Sequence, residues 1–163
     1  MNPAVASLPA LSALRRLPPL LRRAWYGLNQ SFRQRIAHLE ITPDQYSILR
    51  WLNEGDPLGL TQRQLTDLMA SDPNTITSTL SRMETAGLIS RHPHETDRRA
   101  HRVRLETPGK DAFKKALKIA EALQEQLLSA VPEERRSQFL GDLALVADAC
   151  AAALEKKPGR KRL

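Results

Sequence analysis

Two helix-start signals set close together, followed by a left-handed stop and a change of period, narrow the folds open to this chain more than any other feature. Thr61-Gln62-Arg63-Gln64 reads as a capping box, with the Thr61 side chain placed to accept from the Gln64 amide and the Gln64 side chain placed to reach back. Ser71-Asp72-Pro73 breaks the helix so begun and starts another, since Asp72 can cap and Pro73 suits a first helical turn. Leu65, Leu68 and Met69 are the expected buried side of the first helix, and Ile76, Leu80 and Met83 that of the second. Gly87 then ends the second as a left-handed cap. Two helices joined by so short a turn make a helix-turn-helix.

The period changes immediately afterwards. Leu88-Ile89-Ser90-Arg91 reads as a short strand, and His101-Arg102-Val103-Arg104-Leu105 alternates apolar and charged residues. The polar, charged stretch 93–100 between them makes this a β-hairpin with a long tip. Upstream, Leu21, Trp25, Leu28, Phe32 and Leu39 form one helical stripe, with Pro19 in the first turn. Thr42-Pro43-Asp44-Gln45 is another capping box, opening a helix that buries Tyr46, Leu49 and Leu52 and ends at Gly55. Downstream, Thr107-Pro108 starts a long helix with Phe113, Leu117, Ala120, Leu123 and Leu127 inward. Pro132 starts a last one carrying Phe139, Leu143, Val146, Cys150 and Leu154. The expected fold is mainly α with a small β-hairpin wing, in the order α-α-(α-α-β-β)-α-α.

Charge supplies the first hint of a partner. The 163 residues carry a formal +7, unevenly distributed. No acidic residue precedes Glu40, while Arg15, Arg16, Arg22, Arg23, Arg33 and Arg35 do. Lys156, Lys157, Arg160, Lys161 and Arg162 crowd the other end. Such a chain is drawn to polyanions, nucleic acid before anionic membrane. Residues 1–17 read as a flexible basic arm, with a short helix at 10–16, and 156–163 as a basic disordered tail. No stretch approaches ~18 uninterrupted apolar residues, so no membrane partner is expected. One cysteine, Cys150, permits no intrachain disulfide, which suits a reducing, cytoplasmic setting.

An α-helix fits the major groove, and its outward side chains near the N-terminus reach base edges. On the helix at 72–86 those are Asn74, Thr75, Thr77, Ser78, Ser81 and Arg82, all hydrogen-bonding and mostly short. Asparagine can pair with adenine; threonine can offer its methyl to thymine or its hydroxyl to a phosphate. Any amphipathic helix has a polar outer face, but this one has a scaffold helix before it and a basic hairpin after it. The tip, His94-Glu95-Thr96-Asp97-Arg98-Arg99-Ala100, carries an arginine pair suited to a narrow minor groove. Arg102 and Arg104 follow on one strand face. The expected double-stranded-DNA contacts are Thr61, Asn74, Thr75, Thr77, Ser78, Arg82, Arg98, Arg99 and Arg102.

These residues resemble the MarR family of winged-helix regulators. The likeness runs from Ile41-Thr42-Pro43-Asp44-Gln45-Tyr46 through Leu60-Thr61-Gln62-Arg63-Gln64-Leu65 and Asp72-Pro73-Asn74-Thr75-Ile76-Thr77. It continues in Arg82-Met83-Glu84-Thr85-Ala86-Gly87-Leu88-Ile89, Asp97-Arg98-Arg99 and Leu105-Glu106-Thr107-Pro108-Gly109. The resemblance implies a homodimer with a helical dimerisation region at 18–40 and 107–155 and a winged helix-turn-helix domain at 41–106. It further implies a repressor on a pseudo-palindromic operator, and a salt-bridge network of Asp72, Arg82 and Arg99 bracing the wing. Many relatives carry arginine where this chain has Ser78, so the guanine contact such an arginine would make is not expected here and target preference is left open.

The resemblance also implies release by a small aromatic or phenolic ligand. Trp25, Tyr26, Tyr46 and Trp51, with Arg22 or His38 as carboxylate partners, are the candidate pocket; aromatic residues at helical spacing also suit a core. No cofactor is expected, and no histidine or cysteine grouping has metal-ligand spacing. Cys150 is expected in a core. Glycine-rich phosphate loops, nucleophile elbows and paired carboxylates are lacking, so no catalytic residue is assigned and an enzyme is not expected. The alternative is a nucleoid-type protein that binds DNA by charge alone, without sequence choice.

Overall fold

The computed structural model describes residues 16–155 except Arg98, with only the backbone of Glu155. Residues 1–15 of the basic arm, the tail and the Arg98 assignment lie outside the described residues, and Leu17, placed in the arm, instead begins the first helix. Helix α1 (Leu17–Ile36) runs into a 3-10 turn (Ala37–Leu39), then α2 (Pro43–Glu54), β1 (Leu60–Thr61), α3 (Gln62–Leu68) and α4 (Pro73–Thr85). Strands β2 (Ile89–Pro93) and β3 (His101–Leu105) form the hairpin, and α5 (Thr107–Leu128) and α6 (Glu133–Glu155) complete the order. The chain separates into two compact units, the first ending at Ala120 and the second starting at Glu121.

Local chemistry sets the helix starts as expected. Both capping boxes form: the Thr42 and Thr61 hydroxyls accept from the Gln45 and Gln64 amides at 3.2 Å, and each glutamine returns a 2.8 Å acceptor to the cap amide. Asp72 caps α4, accepting from the amides of Asn74 and Thr75 at 2.8 and 3.1 Å. Gly87 ends the helix segment with φ +69.

The three strands are antiparallel in the order β1-β3-β2, with Leu60 opposite Val103 and Arg91 opposite that same residue on the other side. The two-residue β1 was not expected from sequence. It ties the loop after α2 into the hairpin, so the wing is anchored at both edges of β3. Beneath lies the core of the first unit: Phe32, Ile36, Ile48, Leu49, Leu65, Ile76, Leu80, Met83, Ile89, Val103, Phe113 and Ala116 are all buried. Tyr46 belongs to it as well, edge-on to Phe32 at 4.9 Å and stacked on Phe113 at 5.9 Å between ring centroids.

Several expected core positions are exposed. Leu68 is 41% exposed and Met69 half-buried, because seven residues of α3 give only Leu65 a fully covered position. Trp25 and Leu28 on α1, Leu127 on α5, and Phe139, Leu143 and Leu154 on α6 are likewise open. Cys150 is exposed rather than in a core, since the α6 stripe that carries it is uncovered in the single chain. One helix among the described residues, Glu133–Leu154, is long and apolar enough by length and composition to cross a membrane.

Candidate nucleic-acid interface

Helix α4 buries Ile76, Thr79, Leu80 and Met83 and turns Asn74, Thr75, Thr77, Ser78 and Arg82 outward, the disposition expected of a reading helix. Its hydroxyls are engaged locally. Thr75 Oγ1 donates to Asp72 Oδ2 at 2.6 Å, Thr77 Oγ1 to the Pro73 carbonyl at 2.7 Å and Ser78 Oγ to the Thr75 carbonyl at 3.1 Å. Gln62, in the first turn of α3, donates from Nε2 to Thr77 Oγ1 at 2.7 Å, so the scaffold helix grips the reading helix directly. Sequence reasoning missed Gln62; its place inside a capping box that opens the scaffold helix was the available signal.

Beside this face the start of α3 and the wing enclose a cleft of ≈ 450 Å³ whose charged lining is mostly basic. Arg63, Arg91, Arg99, His94 and His101 line it with Thr61, and Asp97 is its one carboxylate among the described residues. Thr61 and Arg99 were expected at the interface; Arg63, Arg91 and the histidines were not, because periodicity does not reveal what a hairpin folds over. The tip is held by the His94 ring, whose Nδ1 accepts from the amides of Thr96 and Asp97, both at 3.3 Å.

The bracing of the wing differs from expectation. Asp72, Arg82 and Arg99 form no mutual ion pair. The Asp72 carboxylate is held by its own helix start, chiefly by the Thr75 hydroxyl and then by the Thr75 and Asn74 amides, which lower its pKa. Arg82 folds back on α4, donating to the Ser78 carbonyl and Thr79 Oγ1 at 3.3 Å. The link from wing to reading helix is made by Arg91 of β2, whose Nε lies 3.2 Å from Glu84 and whose Nη2 donates to Ser81 at 3.4 Å.

Arg102, expected at the DNA surface, is turned to a structural task. Its side chain is 13% exposed. The Nε donates to both Glu95 oxygens at 2.8 and 3.0 Å, and Nη1 to the Gly59 carbonyl at 2.8 Å with Asp56 at 3.4 Å. Arg104 donates to the Leu58 carbonyl at 2.7 Å. A guanidinium has five donors in a fixed fork, and this one spans the wing loop and the β1 turn. The hydrogen bond from Arg102 holds the Glu95 carboxyl below its ordinary pKa.

A second concavity, ≈ 350 Å³, lies behind α4. Trp25, Ile48, Trp51, Leu68, Met69 and Ile76 supply apolar walls, and Asp44 the one charge among the described residues. Of the candidate pocket residues it brings together Trp25 and Trp51 only. Tyr46 is in the core, while Arg22, Tyr26 and His38 are exposed and do not line it.

A capped helix pair backed by a third helix and flanked by a three-stranded sheet with a basic hairpin defines the winged helix-turn-helix class. Residues 41–101 match the model of the MarR family. The Escherichia coli O127:H6 transcriptional regulator HosA is 28% identical over 126 residues, which cover 74% of this chain and 92% of HosA. Among solved structures, the transcriptional repressor CouR bound to a 23-mer DNA duplex superposes with a TM-score of 0.77 at 25% identity, over 88% of this chain and 99% of CouR. The S. aureus MepR–DNA complex gives a TM-score of 0.74 at 24% identity, over 80% of this chain and 95% of MepR. Over residues 41–101 the chain is thus similar to the MarR family, and over a longer stretch to the transcriptional regulator HosA.

Proposed function

We propose that this protein is a homodimeric, cytoplasmic repressor that binds a pseudo-palindromic operator through α4 and the wing and is released by a small aromatic or phenolic molecule. The observation that carries this reading is the continuity of the exposed start of α4 with the basic cleft: Gln62 lines the cleft and bonds Thr77. A duplex laid along that surface would meet short polar side chains in its major groove and Arg63 and Arg99 at its backbone or minor groove. DNA-bound MepR and CouR support the same reading.

Dimerisation gives the uncovered apolar surface a purpose. Leu17, Leu20 and Leu28 on α1 and Phe139, Leu140, Leu143 and Leu145 on α6 are exposed in the single chain. A membrane would bury α6 only with Asp142 and Asp148 inside the span, each costing about 2.5–3.5 kcal/mol near its centre. A second copy can cover the apolar residues without taking those carboxylates into hydrocarbon.

The Trp25–Trp51 concavity is within the size range of small-molecule sites, about 300–1,000 Å³. Thr75, Ile76 and Thr79 of the reading helix form part of its wall, so an occupant that needs more room displaces α4. Asp44 disfavours a carboxylate there and leaves a neutral phenol as the better fit.

Sequencing fragments of the source genome retained by the purified protein tests the reading. Enrichment of an inverted repeat with half-site centres about 10 bp apart is expected. Retention of fragments without any shared sequence would overturn it.

A further inference from the structure

We propose that Thr77 reads thymine through its methyl group, and that Gln62 is the positioning residue that fixes this mode. The inference rests on the DNA-binding reading above and specifies what α4 selects. A threonine hydroxyl has one hydrogen to donate and two lone pairs. In Thr77 that hydrogen goes to the Pro73 carbonyl at 2.7 Å, and Gln62 Nε2 occupies one lone pair at 2.7 Å. With Oγ1 drawn toward Pro73 and Gln62, the exposed threonine has no hydrogen left for a base acceptor. Guanine N7 and O6, adenine N7 and thymine O4 all require a donor. What Thr77 has left for the groove is its methyl and one lone pair on Oγ1, and the base group that the methyl complements is the thymine 5-methyl.

The neighbours reinforce the choice. The Thr75 and Ser78 hydroxyl hydrogens are also spent within the helix, on Asp72 and the Thr75 carbonyl. Arg82 is folded back along α4. The N-terminal half of the helix is therefore poor in donors, with the Asn74 amide as the group suited to adenine, and the pairs it reads are A·T rather than G·C.

The probe is a randomised 30-bp duplex pool passed over the full chain, followed by synthetic duplexes of the enriched sequence. In these, thymines are replaced by deoxyuridine one symmetric pair at a time, which removes only the 5-methyl. At one pair the parent should lose about fourfold per half-site, the worth of one buried methyl. Thr77→Val, which keeps a methyl and loses the hydroxyl, should retain discrimination at that pair. Thr77→Ser, which keeps the hydroxyl and loses the methyl, should abolish it. Gln62→Ala should narrow the thymine–uracil ratio while leaving the melting temperature within a few degrees. Equal affinity for thymine and uracil at every position, or undiminished discrimination in Thr77→Ser, overturns the inference. If the pool shows no enrichment, the sequence-specific reading fails, and this inference with it.

Discussion

Gly59 and Ala70 both hold left-handed backbone, for opposite reasons. At Gly59 (φ +93) a Cβ would strike the Val103 carbonyl, so glycine is required both by conformation and by the close approach of the β1 turn to β3. Gly59→Ala should cost about 1–3 kcal/mol and melt several degrees lower. Ala70 (φ +45) sits between α3 and α4 with no such need for a side chain. Relief of about 1–2 kcal/mol of strain exceeds the roughly 0.5–1 kcal/mol entropic cost of glycine, so Ala70→Gly should hold or raise the melting temperature. A fall would contradict the strained turn. Glu95 adds a pH dependence. Its pKa is lowered in the folded state, chiefly by the Arg102 hydrogen bond, so the bond stabilises above the ordinary glutamate range and is lost as pH falls through the folded value. In an NMR titration the Glu95 carboxyl should therefore have its midpoint below that of an ordinary glutamate, and Arg102→Ala should move it upward. A parent midpoint at or above the ordinary value would remove Arg102 from the wing clamp.

Among the elements, α4 and the wing divide the work, and different substitutions should separate them. Leu80 is fully buried beneath α4, and Leu80→Ala should destabilise by about 2–5 kcal/mol through a cavity. A melting temperature like the parent's would mean that the helix presents another face. Arg99 lines the basic cleft, and Arg99→Ala should weaken binding to all sequences alike, flattening the log–log salt slope by about one. An unchanged slope would show the cleft idle. The helix starts were legible because Thr42, Thr61 and Asp72 act on amides two or three residues away. The buried face of α4 was legible because 3.6-residue periodicity is local. Strand β1 was not, since two residues form a strand only by pairing with Val103 and Arg102, far along the chain. Arg102 was misread for a related reason: alternation tells which side of a strand a residue takes, not that Glu95 and Gly59 wait there. Tyr46 and Trp51 share one helix, yet one packs between Phe32 and Phe113 and the other opens onto the concavity behind α4.

At the scale of the whole molecule, the exposed apolar residues of α1 and α6 and the polar start of α4 call for different partners. Leu154 is 82% exposed and Leu145 69%, and an apolar stripe in sequence shows that something covers it without saying what. Cys150 was placed in a core on that incomplete signal. With a second copy as the cover, light scattering at micromolar concentration should give twice the chain mass of 18.3 kDa, whereas a monomer would remove the two-fold operator. The deeper division is between reading a sequence and clinging to charge, because a +7 chain binds DNA in either case. Affinity for an enriched inverted-repeat duplex, set against a scrambled duplex of the same composition at low and at physiological salt, decides it. A chain that reads through α4 should prefer the enriched duplex by at least about a thousandfold at physiological salt, with the preference surviving as both affinities fall. Equal affinities that fall together with salt would leave a protein that holds DNA by its charge alone.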